Sequence, residues 1–240
     1  MGLDLKSARV LTVGYSNPAI DRGDKAAYPL ENRATEMLNK LIACNVGVRP
    51  FFLIGHSMGG LHIKCMLKVA CSRMDLQLRE KDFIDNCRGV IFYGTPHLGA
   101  AAASLLHSLL GFGLFASDAT INLQANTPLL TELHEFFLNF AARHPYLRTN
   151  ILNFTERKTV IPFFQVVSNE SSLLPDRYLN RPVNANHLDI CKPESKEQET
   201  YRIVLDKLLE WRHQRNNFNN VSPLQKKQNH SSFLCRNPND

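Results

Sequence analysis

Residues 49–60 constrain the fold more than any other part of this sequence, and they read Arg-Pro-Phe-Phe-Leu-Ile-Gly-His-Ser-Met-Gly-Gly. An apolar run of strand length leads directly into the pattern Gly-x-Ser-x-Gly, and apolar residues at helical spacing follow it. In this strand–turn–helix context the pattern predicts a nucleophile elbow, a strained turn that carries a serine hydroxyl beyond the end of a sheet. The candidate nucleophile is therefore Ser57.

The neighbours of Ser57 have predictable tasks in such a turn. Gly55 and Gly59 are expected to leave room for the adjoining strand and helix. The backbone N–H of Met58 is expected to point at the negative oxygen that develops during acyl transfer, aided by the positive end of the following helix. We expect His56 to shape the turn and to line the substrate site.

Strand and helix patterns alternate along the whole chain. Strands are predicted in the run before Ser57 and at residues 9–15, 89–93, 150–154 and 163–167. Helices are predicted at residues 32–44 and 61–71, from Thr127-Pro128 to Pro145, and after a Ser195-x-x-Gln198 capping box. This alternation predicts an α/β fold with a mostly parallel sheet and helices on both faces. Together with the elbow, it indicates the α/β-hydrolase fold, with the ligand crevice at the carboxyl ends of the strands.

Two further expectations concern exposure. His62 and Lys64 are interpreted as exposed positions on the helix at residues 61–71. The charged residues 75–86 are interpreted as a surface connection between that helix and the next strand.

The length of 240 residues favours a single core, which we place at residues 1–213. Residues 98–126 are expected to form an apolar, cap-like segment within it. Residues 98–116 carry no formal charge and predict a helical cap beside the site, with an interfacial membrane contact as the alternative. Residues 214–240 are rich in Asn, Gln, Ser and Lys without periodicity, which is typical of a disordered tail.

Charge and composition exclude a nucleic-acid binder. About half of the net charge of +6 belongs to the tail, which carries one acid and four basic residues: Arg215, Lys226, Lys227 and Arg236. The remaining positive charge is too thinly spread for a nucleic-acid face. No cofactor and no metal site are expected.

The six cysteines show neither paired nor metal-type spacing, and the polar N-terminus does not resemble a signal peptide. Free thiols and an intracellular location are therefore expected.

An elbow serine needs a histidine to accept its proton, and an acid to orient that histidine. In this fold the acid and then the histidine follow the serine in sequence. Of nine histidines, His187 lies in the loop before the last helix, where the base belongs. His97 follows the strand after the elbow and is interpreted as a structural or pocket-lining residue. The adjacent Leu98 is expected to line the substrate site.

The acid has two candidates. Glu156 comes at the end of the strand predicted over residues 150–155, and Glu170 follows the next predicted strand. Glu156 is favoured because the end of a strand is the position expected for the acid. Asp176 and Asp189 are weaker candidates, the first within a turn beside proline and the second too near His187.

Taken together, these residues resemble the serine-active-site-containing (SERAC-type) branch of the α/β-hydrolase lipases. The resemblance is carried by residues 55–61, 92–97, 154–158, 166–172 and 183–193. It implies a serine hydrolase acting on lipids, with Ser57 as the nucleophile and His187 as the base. It further implies phosphatidylglycerol remodelling and cholesterol trafficking where mitochondria meet the endoplasmic reticulum.

The resemblance also implies a departure from the family pattern. Only one strand and one helix are predicted before the elbow, so the N-terminal strand and the loop that supplies a second oxyanion N–H are expected to be missing. The loop at residues 14–16 is an alternative donor.

The leading hypothesis is an esterase, phospholipase-like acyl hydrolase or transacylase that acts on lipid esters through a peripheral membrane contact. The alternatives are a catalytically impaired hydrolase fold that binds lipid or protein, and a hydrolase-like module that precedes nucleotide-binding repeat domains.

Overall fold

The computed structural model describes residues 4–5, 7–14, 30–98, 127–158 and 173–213. The chain divides into two compact units. One combines its two ends, Met1–Ser16 and Lys192–Asp240, and the other is Asn17–Cys191. The expectations for residues 98–126 beyond Leu98, the strand at residues 163–167, Glu170 and the tail after residue 213 lie outside the described residues.

A four-stranded parallel sheet forms the centre of the unit Asn17–Cys191. Its strands are β1 (Phe51–His56), β2 (Cys87–Tyr93), β3 (Ile151–Glu156) and β4 (Leu179–Val183), in the spatial order β1-β2-β3-β4. Each neighbouring pair is parallel. The predicted α/β class and parallel sheet are confirmed, and all four carboxyl ends lie along one edge.

β4 was not predicted from the sequence. Its residues, Leu-Asn-Arg-Pro-Val, lack the apolar alternation of a half-buried strand. Pro182 cannot donate to a ladder and so argues against a central strand. β4 pairs with β3 at one end of the described sheet, where a strand tolerates this loss.

Five helices accompany the strands in the described residues: α1 (Leu30–Ala43), α2 (Met58–Arg73), α3 (Leu78–Asn86), α4 (Thr127–Arg143) and α5 (Glu199–His213). The predicted helices α1, α2, α4 and α5 are confirmed. α5 begins at Glu199, later than the Ser195-x-x-Gln198 capping box implies, and the Gln198 side chain accepts the backbone N–H of Glu194 at 2.7 Å.

α3 corrects the interpretation of residues 75–86 as a mere surface connection. Phe83 and Ile84 are fully buried, and the Phe83 ring lies 4.7 Å from that of Phe51 on β1. The many charged residues in this segment obscure the two apolar positions that anchor the helix.

The strand expected at residues 9–15 is a second correction. Residues 8–14 form neither strand nor helix, and Val10 and Leu11 are 65% and 45% exposed. Strand-forming residues adopt a strand only where their backbone groups find a ladder partner. Residues 8–14 have none among the described strands.

A third correction concerns α2, which packs against α1, α3, α4 and β1. With neighbours on so many sides it has little surface left for solvent, and His62 and Lys64 are 1% and 0% exposed. The Lys64 amine donates to Nδ1 of His134 at 2.9 Å. Burial of the amine lowers the pKa of Lys64 to about 7. Neither residue is the surface position that the sequence suggested.

Cys44, Cys65, Cys87 and Cys191 are free thiols, as expected. Cys71 is disulfide-bonded, so the expectation of free thiols is wrong at that position. None of the described helices combines the length and apolar character needed to cross a bilayer.

Replacing Lys64 with methionine should flatten the pH dependence of stability between pH 7 and pH 9. The pKa of Lys64 is about 7 in the folded chain, against 10.5 for a lysine in water, so unfolding takes up a proton in this window and stability rises with pH. The free energy of unfolding of the unmodified chain should rise by about 1 kcal/mol per pH unit relative to Lys64→Met.

Urea unfolding at pH 7, 8 and 9 measures this slope. Lys68→Met is the matched control, because Lys68 lies one turn further along α2 but its side chain is 34% exposed. Parallel profiles for the unmodified chain and Lys64→Met would contradict the prediction.

Candidate functional site

Ser57 lies between β1 and α2 in a backbone conformation that non-glycine residues rarely adopt, with φ 54° and ψ −128°. Conformations of this kind cost about 1–3 kcal/mol and persist where surrounding contacts hold them. Here the Ser57 N–H donates to the carbonyl of Tyr93 at 2.9 Å, and the Gly60 N–H donates to the carbonyl of Ser57 at 3.1 Å. The first of these bonds extends the ladder between β1 and β2 into the turn.

The Ser57 hydroxyl contacts a histidine rather than the end of its own helix. Ser57 occupies the N-cap position of α2, where serine commonly accepts a backbone N–H, yet its side chain makes no capping bond. Instead Oγ lies 3.0 Å from Nε2 of His187. The strained turn therefore presents the hydroxyl to a histidine.

His187 is held between the serine and an acid. Its Nδ1 lies 2.9 Å from Oε2 of Glu156, and the two side chains are 1% and 2% exposed. A carboxylate oxygen accepts, so Nδ1 carries the proton and the lone pair of Nε2 faces the Ser57 hydroxyl. In this tautomer His187 can accept a proton from Ser57.

The structure brings only one of the four acid candidates to His187 among the described residues. Glu156 is the last residue of β3, the position expected for the acid. Asp189 accepts the Asn186 side-chain amide at 2.7 Å, and Asp176 is exposed in a turn. Glu170 lies outside the described residues.

The loop that carries His187 is fixed on both sides of the histidine. The Arg157 N–H donates to the carbonyl of Val183, and the Lys158 N–H donates to that of Ala185. After the histidine, the Asn186 side-chain oxygen accepts the N–H groups of Leu188 and Asp189 at 2.9 and 3.0 Å. These bonds extend the ladder between β3 and β4 and close an Asx turn around His187.

His56 contacts the same loop rather than only the elbow. Its Nε2 lies 2.8 Å from the backbone carbonyl oxygen of His187, and the two rings are 5.0 Å apart. The side chain thus links the strand before Ser57 to the base that faces Ser57.

The glycines around Ser57 differ from expectation in one respect. A Cβ at Gly55 would lie 2.7 Å from Cδ1 of Ile63, as the predicted close approach requires. A Cβ at Gly59 would meet nothing within 4 Å, whereas one at Gly60 would overlap Oγ1 of Thr95. The crowded helix position is therefore Gly60, not Gly59.

Gly94 is a site residue that sequence reasoning missed. It has φ 52°, and a Cβ there would lie 3.1 Å from Nδ1 of His187 and 3.8 Å from Oε2 of Glu156. Its N–H donates to the carbonyl of Phe154. A glycine directly after the apolar run at residues 89–93 was the available signal.

His97 and Leu98 occupy different environments. His97 is fully buried, and its Nε2 donates to Oδ1 of Asn153 at 3.1 Å. Burial and the nearby Lys64 charge lower the pKa of His97 well below its ordinary value. Leu98 is 40% exposed and is the last described residue before residue 127.

Met58 is the first residue of α2, so its backbone N–H belongs to the unsatisfied N-terminal turn of that helix. Gly14 is described, but residues 15 and 16 of the alternative donor loop are not. The described residues contain no group of three or more His, Cys, Asp or Glu side chains arranged to hold a metal ion.

Comparison with curated proteins identifies consistent relatives. The chain is 36% identical over 219 residues to Protein SERAC1 of Mus musculus, 34% identical over 219 residues to that of Homo sapiens and 35% identical over 216 residues to that of Danio rerio. The matches cover 85–86% of this chain but only 31% of each relative. The chain therefore spans about a third of the length of these relatives.

No family model matches the chain, and no solved structure gives a significant match.

The crowding at Gly60 leads to a prediction that separates it from Gly59. Gly60→Ala should lower the free energy of unfolding by about 1–3 kcal/mol, because the new methyl overlaps Thr95 and Phe92. Gly59→Ala should leave stability unchanged or raise it by up to about 1 kcal/mol, because alanine favours a helix.

Urea unfolding of the two variants measures the difference. Equal losses of stability in Gly59→Ala and Gly60→Ala would show that both positions are equally crowded and would contradict the prediction.

Proposed function

The chain belongs to the SERAC-type family, and from this membership and the geometry around Ser57 we propose that it is a serine hydrolase that cleaves lipid esters. The observation that carries the proposal is the hydrogen-bonded series from Ser57 Oγ through His187 to Glu156, with distances of 3.0 and 2.9 Å. A strained serine, a histidine in the accepting tautomer and a buried carboxylate are the three parts that acyl transfer through serine requires.

In the proposed reaction Ser57 Oγ attacks the ester carbonyl while Nε2 of His187 accepts its proton. The Glu156 carboxylate holds the imidazole in place and stabilises the positive charge that the imidazole gains. His187 then protonates the departing alcohol, which leaves an acyl group on Ser57. Water, or a second alcohol in a transacylase, attacks the acyl group after His187 removes its proton.

The turn after Ser57 would stabilise the negative oxygen of the tetrahedral intermediate. The Met58 N–H lies at the N-terminus of α2, and Ser57 does not occupy that helix end with a capping bond. A backbone N–H at a helix N-terminus is the donor that an oxyanion needs. We propose Met58 as one donor.

The proposed substrate class follows from the family resemblance and from the apolar sequence at residues 98–116. A long apolar sequence without formal charge suits contact with an acyl chain better than contact with a polar substrate. We extend the proposal to phospholipid remodelling and cholesterol trafficking at contacts between mitochondria and the endoplasmic reticulum, with His56 and Leu98 beside the substrate. His97, which is fully buried against Asn153, has a structural role instead.

Labelling with a fluorophosphonate probe tests the proposal, because the probe reacts with an activated serine. Labelling should disappear in Ser57→Ala and fall by about 10³-fold or more in His187→Ala, since the serine then has no base. Glu156→Gln should lower the labelling rate strongly, because the amide no longer favours the productive tautomer.

Glu170→Gln is the matched control for Glu156→Gln and should label at the rate of the unmodified chain. The reverse pattern would reassign the acid to Glu170. If a folded, unmodified chain is not labelled at Ser57, the proposed hydrolase activity is wrong, and a lipid- or protein-binding role becomes the better hypothesis.

A further inference from the structure

We propose that His56 is a positioning residue for His187, acting through the backbone of the loop that carries the base. This inference rests on the function proposed above. The proposed role differs from lining the substrate site. The His56 imidazole fixes the position of the His187 imidazole relative to Ser57.

The contact has a defined direction. Nε2 of His56 lies 2.8 Å from the backbone carbonyl oxygen of His187. A carbonyl oxygen can only accept, so Nε2 of His56 carries the proton and donates it. The two imidazole rings lie 5.0 Å apart at an interplanar angle of 40°.

The other bonds of the loop cannot replace this contact. The backbone bonds of Arg157 and Lys158 and the Asx turn of Asn186 tie the loop to β3, to β4 and to itself. His56 instead ties it to β1, the strand that delivers Ser57. It therefore spans the two parts of the chain whose separation decides whether Oγ and Nε2 meet.

This separation is critical for proton transfer. Oγ of Ser57 and Nε2 of His187 are 3.0 Å apart, within hydrogen-bond reach. Misplacement by about 1 Å can lower a rate about 100-fold. A residue that fixes this distance should affect the rate of the chemical step more than the binding of substrate.

The required property is an N–H donor at the position of Nε2. Glutamine can place an amide N–H near that point, leucine offers none, and the amide of asparagine is one carbon shorter. His56→Leu should lower kcat for a p-nitrophenyl ester about 10- to 100-fold while KM changes less than about 3-fold. His56→Gln should restore kcat to within about 5-fold of the unmodified chain.

His144 supplies a control with the same kind of bond. Its Nε2 donates to the backbone carbonyl of Ile84 at 3.0 Å in a buried setting away from Ser57. His144→Leu should lower stability but leave kcat unchanged. If both leucine variants reduce kcat in proportion to their loss of stability, the effect of His56 is structural and the proposal is wrong.

A second measurement does not depend on activity. The proton on Nδ1 of His187, bonded to Glu156, should give a low-field NMR signal that shifts or broadens in His56→Leu but not in His144→Leu. Unchanged kcat and an unchanged signal in His56→Leu would overturn the positioning role, even if Ser57 is labelled by fluorophosphonate. If the fluorophosphonate probe does not label the unmodified chain, the proposed hydrolase activity is wrong. The NMR comparison would still decide whether His56 positions His187.

If His56→Leu does not fold, His56→Gln and His56→Asn are compared with each other instead. The proposal then requires that only the glutamine variant retain kcat and the His187 signal, and equal behaviour of the two would contradict it.

Discussion

The alignment of four parallel strands is the constraint on which the candidate site depends. Because the strands run the same way, their carboxyl ends meet at one edge of the sheet. His56 pairs with Tyr93, and Tyr93 with Phe154, so Ser57 and Gly94 follow neighbouring strands directly and Glu156 lies two residues further along β3. The loop after β4 then needs only four residues beyond Val183 to place His187 among them.

This alignment continues beyond the regular strands. The Ser57 N–H donates to the carbonyl of Tyr93 and the Gly94 N–H donates to that of Phe154. Each bond continues the hydrogen-bond pattern of the two paired strands by one residue. These bonds hold Ser57 in a backbone conformation that it would otherwise avoid. They also hold Gly94 against the His187 imidazole, where a Cβ would come within 3.1 Å of Nδ1. The strain of the turn is thus supported by the sheet rather than by the loop itself.

Sequence patterns predicted the parts of the structure that depend on neighbouring residues. The elbow needs only the run of residues 49–60, and strand β3 and helices α1 and α4 follow from local apolar spacing. The positions of Glu156 and His187 could be proposed because acids and bases of this fold follow particular strands. The sequence favoured Glu156 over Glu170 but left both open, since the contact between the acid and His187 forms only when the loop after β4 packs against the end of β3.

The features that the sequence did not reveal depend on contacts between distant segments. Lys64 is surrounded because α1, α3 and α4 all pack on α2, which no periodicity within α2 could show. β4 pairs with β3 at one end of the described sheet, although the residues of β4 are poor strand formers. Gly60 is crowded by Thr95, which lies 35 residues further along the chain and reaches α2 only in the folded protein.

The segment that follows β2 joins the candidate site to a buried polar cluster, which we define as Lys64, His134, His97 and Asn153. Gly94 supports the His187 imidazole, Thr95 packs on Gly60 of the elbow helix, and His97 donates to Asn153. Burial and the Lys64 charge lower the pKa of His134 to about 3, so this histidine is neutral and accepts the Lys64 amine.

A cluster of this kind is costly, because each buried polar group must find a partner, and among the described residues Nδ1 of His97 has none. Thr95 and His97 lie within three residues of Gly94 in one buried segment, so the packing that keeps His97 against Asn153 also keeps Gly94 against His187. We therefore infer that the polar interior behind α2 and the geometry at Ser57 are supported by the same segment of chain.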